Sequence, residues 1–374
     1  MGVMRAVVHL AVALALIGLL LPILIMQNAE AAENIISNQG FLRTEGVQIL
    51  DAKGKVALLR GVNYPGYDEC SFRDGYPALH SQATYSRFAS LGFNVVRLPI
   101  SWAMLEPKAG IFDLSYLANY INKDVQWAKL YGLYIVLDMH QYYWAKEFGG
   151  CGVPSWALQQ YTSSKASMVQ FVSNFWINDT LQNHVADVWT KIARIYANES
   201  IVAGYDVLNE PFVYTSVIPY LNATNVNRFY SQVIASIRSV DSSHIIFLEP
   251  ANMYSNVEFG KNIVWSPHFY LFAFNSTYSS QAAGLLEQDI AGKYQTFVTQ
   301  SGTPMWIGEF GAFMRDGTYV DYLHDVQTIF ERYQIGWAWW GFNSEFGQRI
   351  PSTLASPTLT TTVPTASAMS NKTS

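Results

Sequence analysis

From about Asn34 to Ile350, short apolar runs alternate with longer amphipathic stretches. The runs are LLRGVNYPG (58–66), NVVRLPI (94–100), LYIVLDMH (133–140), IVAGYDVLNE (201–210), HIIFLEP (244–250), NIVWSPHFY (262–270), PMWIGEF (304–310) and IGWAWW (335–340). Seven of these eight are almost continuously apolar, as expected for strands covered on both faces. Residues 115–132, 225–240 and 319–334 instead space their apolar positions at about 3.6 residues, the period of a helix with one buried face. Ahead of the first run, VQILDAKGKVALL predicts a hairpin turning at Asp51–Gly54.

Eight strand–helix units in one stretch predict an α/β fold, a (β/α)8 TIM barrel forming a single catalytic domain over 34–350 with an N-terminal hairpin. A doubly wound open sheet is the competing arrangement, but no glycine-rich dinucleotide turn follows the first strand and no phosphate loop occurs. An eighth outer helix is not evident, since few residues separate Trp340 from a tail of different character. That tail, 351–374, is half Ser and Thr with three prolines, the composition of a linker or stalk.

The other end reads as a targeting segment. Arg5, an apolar run over 6–26 and Ala29-Glu30-Ala31 follow the plan of a secretory signal over 1–31, which predicts an exported protein. Left uncut, the run is long enough to anchor the chain in a membrane. Export would let Cys70 and Cys151, both in loop-like sequence, form a disulfide; two free thiols are the alternative. A net charge of −5 with no basic stripe argues against a nucleic-acid partner. Aromatic residues make up 15% of the chain, enough to serve the core and still supply flat faces for sugar rings.

In a barrel of this kind the chemistry sits at the C-terminal ends of the strands. Those ends carry Asn63, Arg97, His140, Asn209, Glu210, Glu249, His268, Tyr270, Glu309 and Trp340. Glu210 and Glu309 end the fourth and seventh runs and would face each other across the barrel mouth. Two carboxylates about 5 Å apart suit retaining glycoside hydrolysis, one attacking the anomeric carbon and the other moving the proton. Glu249 is assigned to an ion pair or a helix cap. No metal is expected, since the histidines are scattered and no ligand spacing occurs, and no cofactor is implied. No G-x-S-x-G elbow supports a serine nucleophile.

VLNEP and IGEFG, with VVRLPISW, LDMHQ, PHFY and WAWW, resemble glycoside hydrolase family 5, which contains many cellulases; the resemblance spans about 41–345. It implies Glu210 as general acid/base and Glu309 as nucleophile. It further implies that Asn209 holds a sugar 2-hydroxyl, Tyr270 donates to Glu309, and His268 supports the acid/base. Arg97 would favour the ionised form of Glu309, His140 would bind sugar hydroxyls and Trp340 would form a platform beneath the sugar. A finer likeness, in LDMHQ, GCGVPSWA and the stretch from Phe175 to Phe212, is to the endoglycoceramidase branch. Where that branch commonly has Asp after D-M-H-Q, this chain has Tyr142-Tyr143-Trp144, and Tyr142 and Trp144 are expected to stack on additional sugar rings. The expected function is an endo-β-1,4-glucanase acting as a monomer on a β-linked oligo- or polysaccharide. The alternatives are an endoglycoceramidase-like enzyme acting on a glycolipid, a transglycosylase using the same residues, and a catalytically inactive carbohydrate-binding barrel.

Overall fold

The computed structural model describes residues 40–70, 80–163, 165–211, 219–250, 259–275, 277–312 and 317–340. Residues 1–31, expected from the sequence to be a signal or anchor, and the Ser/Thr-rich tail lie outside these residues, as does the sequence just after Trp340. Among the described residues no helix is long and apolar enough to cross a membrane.

The chain enters through an antiparallel pair, β1 (Arg43–Glu45) and β2 (Gln48–Leu50), joined by a turn in which Gly46 takes φ 55°. The predicted turn at Asp51–Gly54 follows directly. Oδ1 of Asp51 accepts the N–H groups of Lys53 and Lys55, and Leu50 bridges Val56 in antiparallel sense. The hairpin is therefore a three-arm meander, one turn longer than predicted.

The barrel strands follow as β3 (Arg60–Asn63), β4 (Val95–Ile100), β5 (Tyr134–Met139), β6 (Val202–Asp206) and β7 (Ile245–Leu248), then β8 (Ile263–Trp265), β9 (His268–Phe269), β10 (Trp306–Phe310) and β11 (Gly336–Trp339). All neighbouring pairs are parallel, in the order β8-β7-β6-β5-β4-β3-β11-β10-β9. Every residue of β4 to β8, β10 and β11 is buried, which accounts for their unbroken apolar character.

The predicted sixth strand, 262–270, is split. Pro267 has no N–H for the ladder, and the chain changes partner there. β8 pairs with β7, β9 pairs with β10, and Trp265 bridges Met305 across the seam. β11 sits between β10 and β3. Eight strand positions thus close a (β/α)8 ring through strand pairing alone, so closure does not depend on an eighth helix.

Two outer helices position the site. Asp179–Tyr196 buries Leu181, Val185, Val188, Trp189 and Ile192, spaced at helical period, and Asn178 caps it by accepting the N–H of Leu181. Nε1 of Trp189 donates to the carbonyl of Val207, three residues before Glu210. Ala223–Arg238 buries Val226, Phe229, Tyr230, Val233 and Ile237 and is capped by Asn222. Each such large apolar side chain contributes about 1.5–3 kcal/mol by leaving water, so the frame behind the strand ends is firmly held.

Candidate active site

Arg97 on β4 is fully buried and forms the hub of the strand-end residues. Its Nη1 donates to Oε1 of Glu309 at 2.7 Å and to Oδ1 of Asn63 at 3.1 Å. Nε donates to Oδ2 of Asp206 at 3.0 Å. Nη2 donates to Oδ1 of Asn209 at 2.9 Å and to Oε1 of Glu249 at 3.2 Å, and lies 3.0 Å from Oδ1 of Asp138. One guanidinium thus faces four carboxylates, a role its planar fork of donors can fill and a lysine could not. Burial pushes the Asp206 carboxyl well above the usual range in spite of the pull from Arg97.

Glu309, on β10, receives a second donor. The hydroxyl of Tyr270 donates to Oε2 at 2.9 Å, so one donor holds each carboxylate oxygen. Burial, with the adjacent Glu309 carboxylate, pushes the Tyr270 phenol well above its ordinary range and keeps it a donor.

Glu210 lies four residues past the end of β6. Val207 still pairs through its N–H to Phe247 and Asn209 to Met139, after which Glu210 turns into the left-handed region with φ 39°. Its N–H donates to Oε2 of Glu249 at 2.6 Å. Its carbonyl accepts from Nε2 of Gln141 at 2.9 Å. Nδ1 of His268 lies 2.7 Å from its Oε1 and 3.5 Å from Oε2 of Glu309. Burial disfavours the charged form of Glu210, but the His268 contact, with His140 and Arg97 beyond it, outweighs this and holds the carboxyl below the usual range. His268 moves the other way. Burial disfavours its cation, yet Glu249, Glu309 and Glu210 around it raise it well above the ordinary imidazole range.

His140 is oriented by Oδ2 of Asp138 at 2.7 Å, and its ring stacks on that of Trp340 with centroids 5.4 Å apart and planes 9° apart. Burial lowers and the Asp138 carboxylate raises the His140 pKa, with the net result at about 8. Asn209 is almost fully committed within the protein, Oδ1 to Arg97 and Nδ2 to the carbonyl of Gln141 at 2.9 Å. One N–H of its amide remains for a ligand.

The structure therefore brings Arg97, His140, Asn209, Glu210, His268, Tyr270, Glu309 and Trp340 to one mouth. It treats the aromatic triplet differently. Tyr142 is 40% exposed and packs its ring against Tyr143. Trp144 is 1% exposed and packs edge-on against Phe171, Phe175 and Trp176, so it is core and cannot stack on a sugar. The reason is local. Tyr143 and Trp144 both adopt left-handed backbone, at φ 47° and 66°, and Oε1 of Gln141 accepts the N–H of Trp144, turning that side chain inward. Tyr142 and Cys151 exchange backbone hydrogen bonds across the loop base. Cys70 and Cys151 are joined in a disulfide with Cα atoms 5.2 Å apart, which resolves the sequence alternative in favour of pairing. Gly152, at φ 114°, is required beside it, since a Cβ there would come within 2.7 Å of Gln141 and His140.

Sequence reasoning missed two residues here and gave a third only part of its role. Asp138 and Gln141 flank His140 and were visible only as part of LDMHQ. The ion pair expected for Glu249 is present, with Nη2 of Arg97 3.2 Å from its Oε1, but its contact with the backbone of Glu210 was not foreseen, although its Glu-Pro at a strand end repeats the pattern of Glu210-Pro211 on the neighbouring strand.

Among the described residues, Glu210, His268 and Glu309 offer ligand atoms within 4.8 Å of one another. Such a cluster could hold a cation in geometric terms, but Arg97 already supplies positive charge 2.7 Å from Glu309 and opposes a second one.

Three comparisons place this geometry. A β-xylosidase from Phanerodontia chrysosporium is 25% identical over 354 residues, covering 80% of this chain and 70% of its own. An endoglycoceramidase from Cyanea nozakii is 27% identical over 259 residues, covering 55% of this chain and half of its own length. The crystal structure of an endogalactoceramidase superposes with a TM-score of 0.68 at 28% identity, covering 81% of this chain and 75% of that one. The model of the family described as cellulase (glycosyl hydrolase family 5) matches residues 50–346, and the chain is a glycosidase of that family.

Proposed function

We propose that this protein is a retaining β-glycosidase working by double displacement, and that its substrate is a β-linked glycolipid from which it releases the glycan. The observation that carries the mechanism is the spacing of the two glutamates: an oxygen of Glu210 and an oxygen of Glu309 lie within 4.8 Å. Retaining enzymes hold their carboxyl groups at about 5–5.5 Å, whereas inverting enzymes need about 6.5–9.5 Å to admit a water.

In the first step Glu309 attacks the anomeric carbon while the glycosidic bond breaks, and Glu210 gives its proton to the departing oxygen. In the second step Glu210 takes a proton from water, the water oxygen bonds to the anomeric carbon, and the ester to Glu309 is released. Arg97 and Tyr270 hold Glu309 in place and stabilise its charge before attack and after release. Trp340, stacked on His140, offers an apolar platform, and the free amide N–H of Asn209 is available to the 2-hydroxyl.

The glycolipid reading is supported by the likeness to the endogalactoceramidase and by an apolar edge next to the nucleophile. Leu271 and Phe274 follow Tyr270 and are 36% and 69% exposed. The Phe274 ring packs 5.6 Å from that of Tyr270, which donates to Glu309. An apolar aglycone would cover this edge. The burial of Trp144 also removes half of the aromatic triplet's expected contribution to an extended sugar cleft. The second reading, an endo-β-glucanase, is favoured by the cellulase family model itself.

The deciding assay compares a glycosphingolipid in detergent with soluble β-glucan and β-mannan, with Glu309→Ala as control. Release of intact glycan with retained anomeric configuration supports the proposal. Glucan cleavage without lipid turnover gives the second reading, and an inverted product or activity surviving Glu309→Ala overturns the mechanism.

A further inference from the structure

Glu249 ends β7, one strand over from the acid/base, and its contacts converge on Glu210. Oε2 accepts the backbone N–H of Glu210 at 2.6 Å. Oε1 lies 3.2 Å from Nε2 of His268, whose Nδ1 is 2.7 Å from Oε1 of Glu210. The imidazole thus sits between two glutamates, hydrogen-bonded to Glu210 through Nδ1 and within ion-pair distance of Glu249 at Nε2, which makes no hydrogen bond there. Glu249 is itself immobilised, since the hydroxyl of Tyr230 on the helix Ala223–Arg238 donates to its carbonyl at 2.7 Å.

The backbone of Glu210 needs such a hold. A non-glycine residue at φ 39° is strained and persists only where its surroundings impose the conformation. Gln141 secures the carbonyl side of the residue and Glu249 the N–H side. Glu249 also pairs with Arg97, whose Nη2 lies 3.2 Å from its Oε1, but that contact leaves Oε2, the oxygen that accepts the N–H of Glu210, unexplained.

We propose that Glu249 is a positioning residue for the acid/base: its carboxylate fixes the left-handed turn at Glu210 and places a negative charge beside the His268 ring that aligns the Glu210 side chain. The proposal rests on the double-displacement reading above. It makes a distinction that general packing would not. A displaced proton donor matters when the leaving group needs a proton and matters little when it does not.

The test measures kcat/KM for a 2,4-dinitrophenyl β-glycoside, which leaves unassisted, and for an alkyl β-glycoside of the same sugar, which needs the proton. Glu249→Gln keeps the volume, but its single oxygen cannot serve Glu210 and His268 together. The expected loss is about a hundredfold or more on the alkyl glycoside, within the range of general acid catalysis, and less than about tenfold on the dinitrophenyl glycoside. Equal losses on both substrates, or no loss on either, overturn the proposal. Thermal unfolding of the variant is followed in parallel. If Glu249→Gln does not fold, Glu249→Asp is put through the same comparison, and failure of both to fold makes the residue structural and also overturns it. The underlying mechanism is judged separately, on wild-type turnover of the dinitrophenyl glycoside and its loss in Glu309→Ala.

Discussion

Nδ1 of His268 lies 2.7 Å from Oε1 of Glu210, and with the imidazole raised and the carboxyl lowered from their ordinary ranges the two groups hold a proton between them on the imidazole side. The alkaline limit of activity should therefore belong to the pair. As pH rises through the raised pKa of His268, the pair loses that proton and Glu210 has none to give. Replacing His268 with Asn removes the cation and leaves Glu210 to titrate alone. We expect the alkaline limb of kcat/KM on an alkyl glycoside to move to lower pH in His268→Asn. An unshifted limb, measured from pH 4 to 10, would remove His268 from this role.

Tyr270→Phe deletes the hydroxyl that donates to Oε2 of Glu309 and keeps the ring. A hydrogen bond to a charged group is worth about 1.5–3 kcal/mol, so kcat/KM should fall roughly 10- to 150-fold. Because the nucleophile serves every substrate, alkyl and dinitrophenyl glycosides should suffer alike. A loss confined to the alkyl glycoside would mean that Tyr270 acts on the proton donor instead.

The barrel was legible because strands covered on both faces must be apolar throughout, and seven of the eight runs were. Glu210 and Glu309 were legible for a related reason: a carboxylate at the end of such a run has few structural uses. Three features were not. Pro267 splits one strand between two neighbours, and a single apolar run gives no sign of which partner each half takes. Glu249 is chemically identical to an ordinary ion-pair partner until the backbone of Glu210 is seen to turn toward it. Trp144 has the composition of a binding residue, and only the left-handed turn set by Gln141 sends it into the core.

His140 links stability to pH. Its pKa is raised to about 8 in the fold, against an ordinary value of 6.5. A raised pKa contributes stability that is fully present below 6.5 and lost as pH rises through about 8. The difference corresponds to about 2 kcal/mol. Denaturant unfolding at pH 6 and pH 9 should show the wild type losing about that much more than His140→Gln over the same interval. Parallel pH dependences in the two proteins would contradict the assignment.

The Cys70–Cys151 bridge spans a sequence separation of 81 and ties the loop after β3 to the loop carrying Tyr142. Closing a long loop restricts the unfolded chain, so reduction should cost about 2–4 kcal/mol of stability. Unfolding with and without dithiothreitol, beside the Cys70→Ser/Cys151→Ser double variant, checks this. A reductant effect that persists in the double variant would show that the bridge is not its source.

Tyr142 and Trp144 are two residues apart and should fail in opposite ways. Trp144→Ala leaves a cavity among Phe171, Phe175 and Trp176. Truncating a buried Trp costs about 3–5 kcal/mol, so the variant should unfold at markedly lower denaturant while its folded fraction keeps its KM. Tyr142 is 40% exposed, pairs through its backbone at the loop base and packs its ring against the neighbouring Tyr143. Tyr142→Ala should leave the unfolding midpoint nearly unchanged. If the Tyr142 ring stacks on glycan beyond the cleavage point, KM should rise for long glycans and stay constant for short ones. A KM unchanged for both lengths would place Tyr142 outside the substrate path, and a KM effect in folded Trp144→Ala would mean that the loop, rather than any one ring, shapes the cleft.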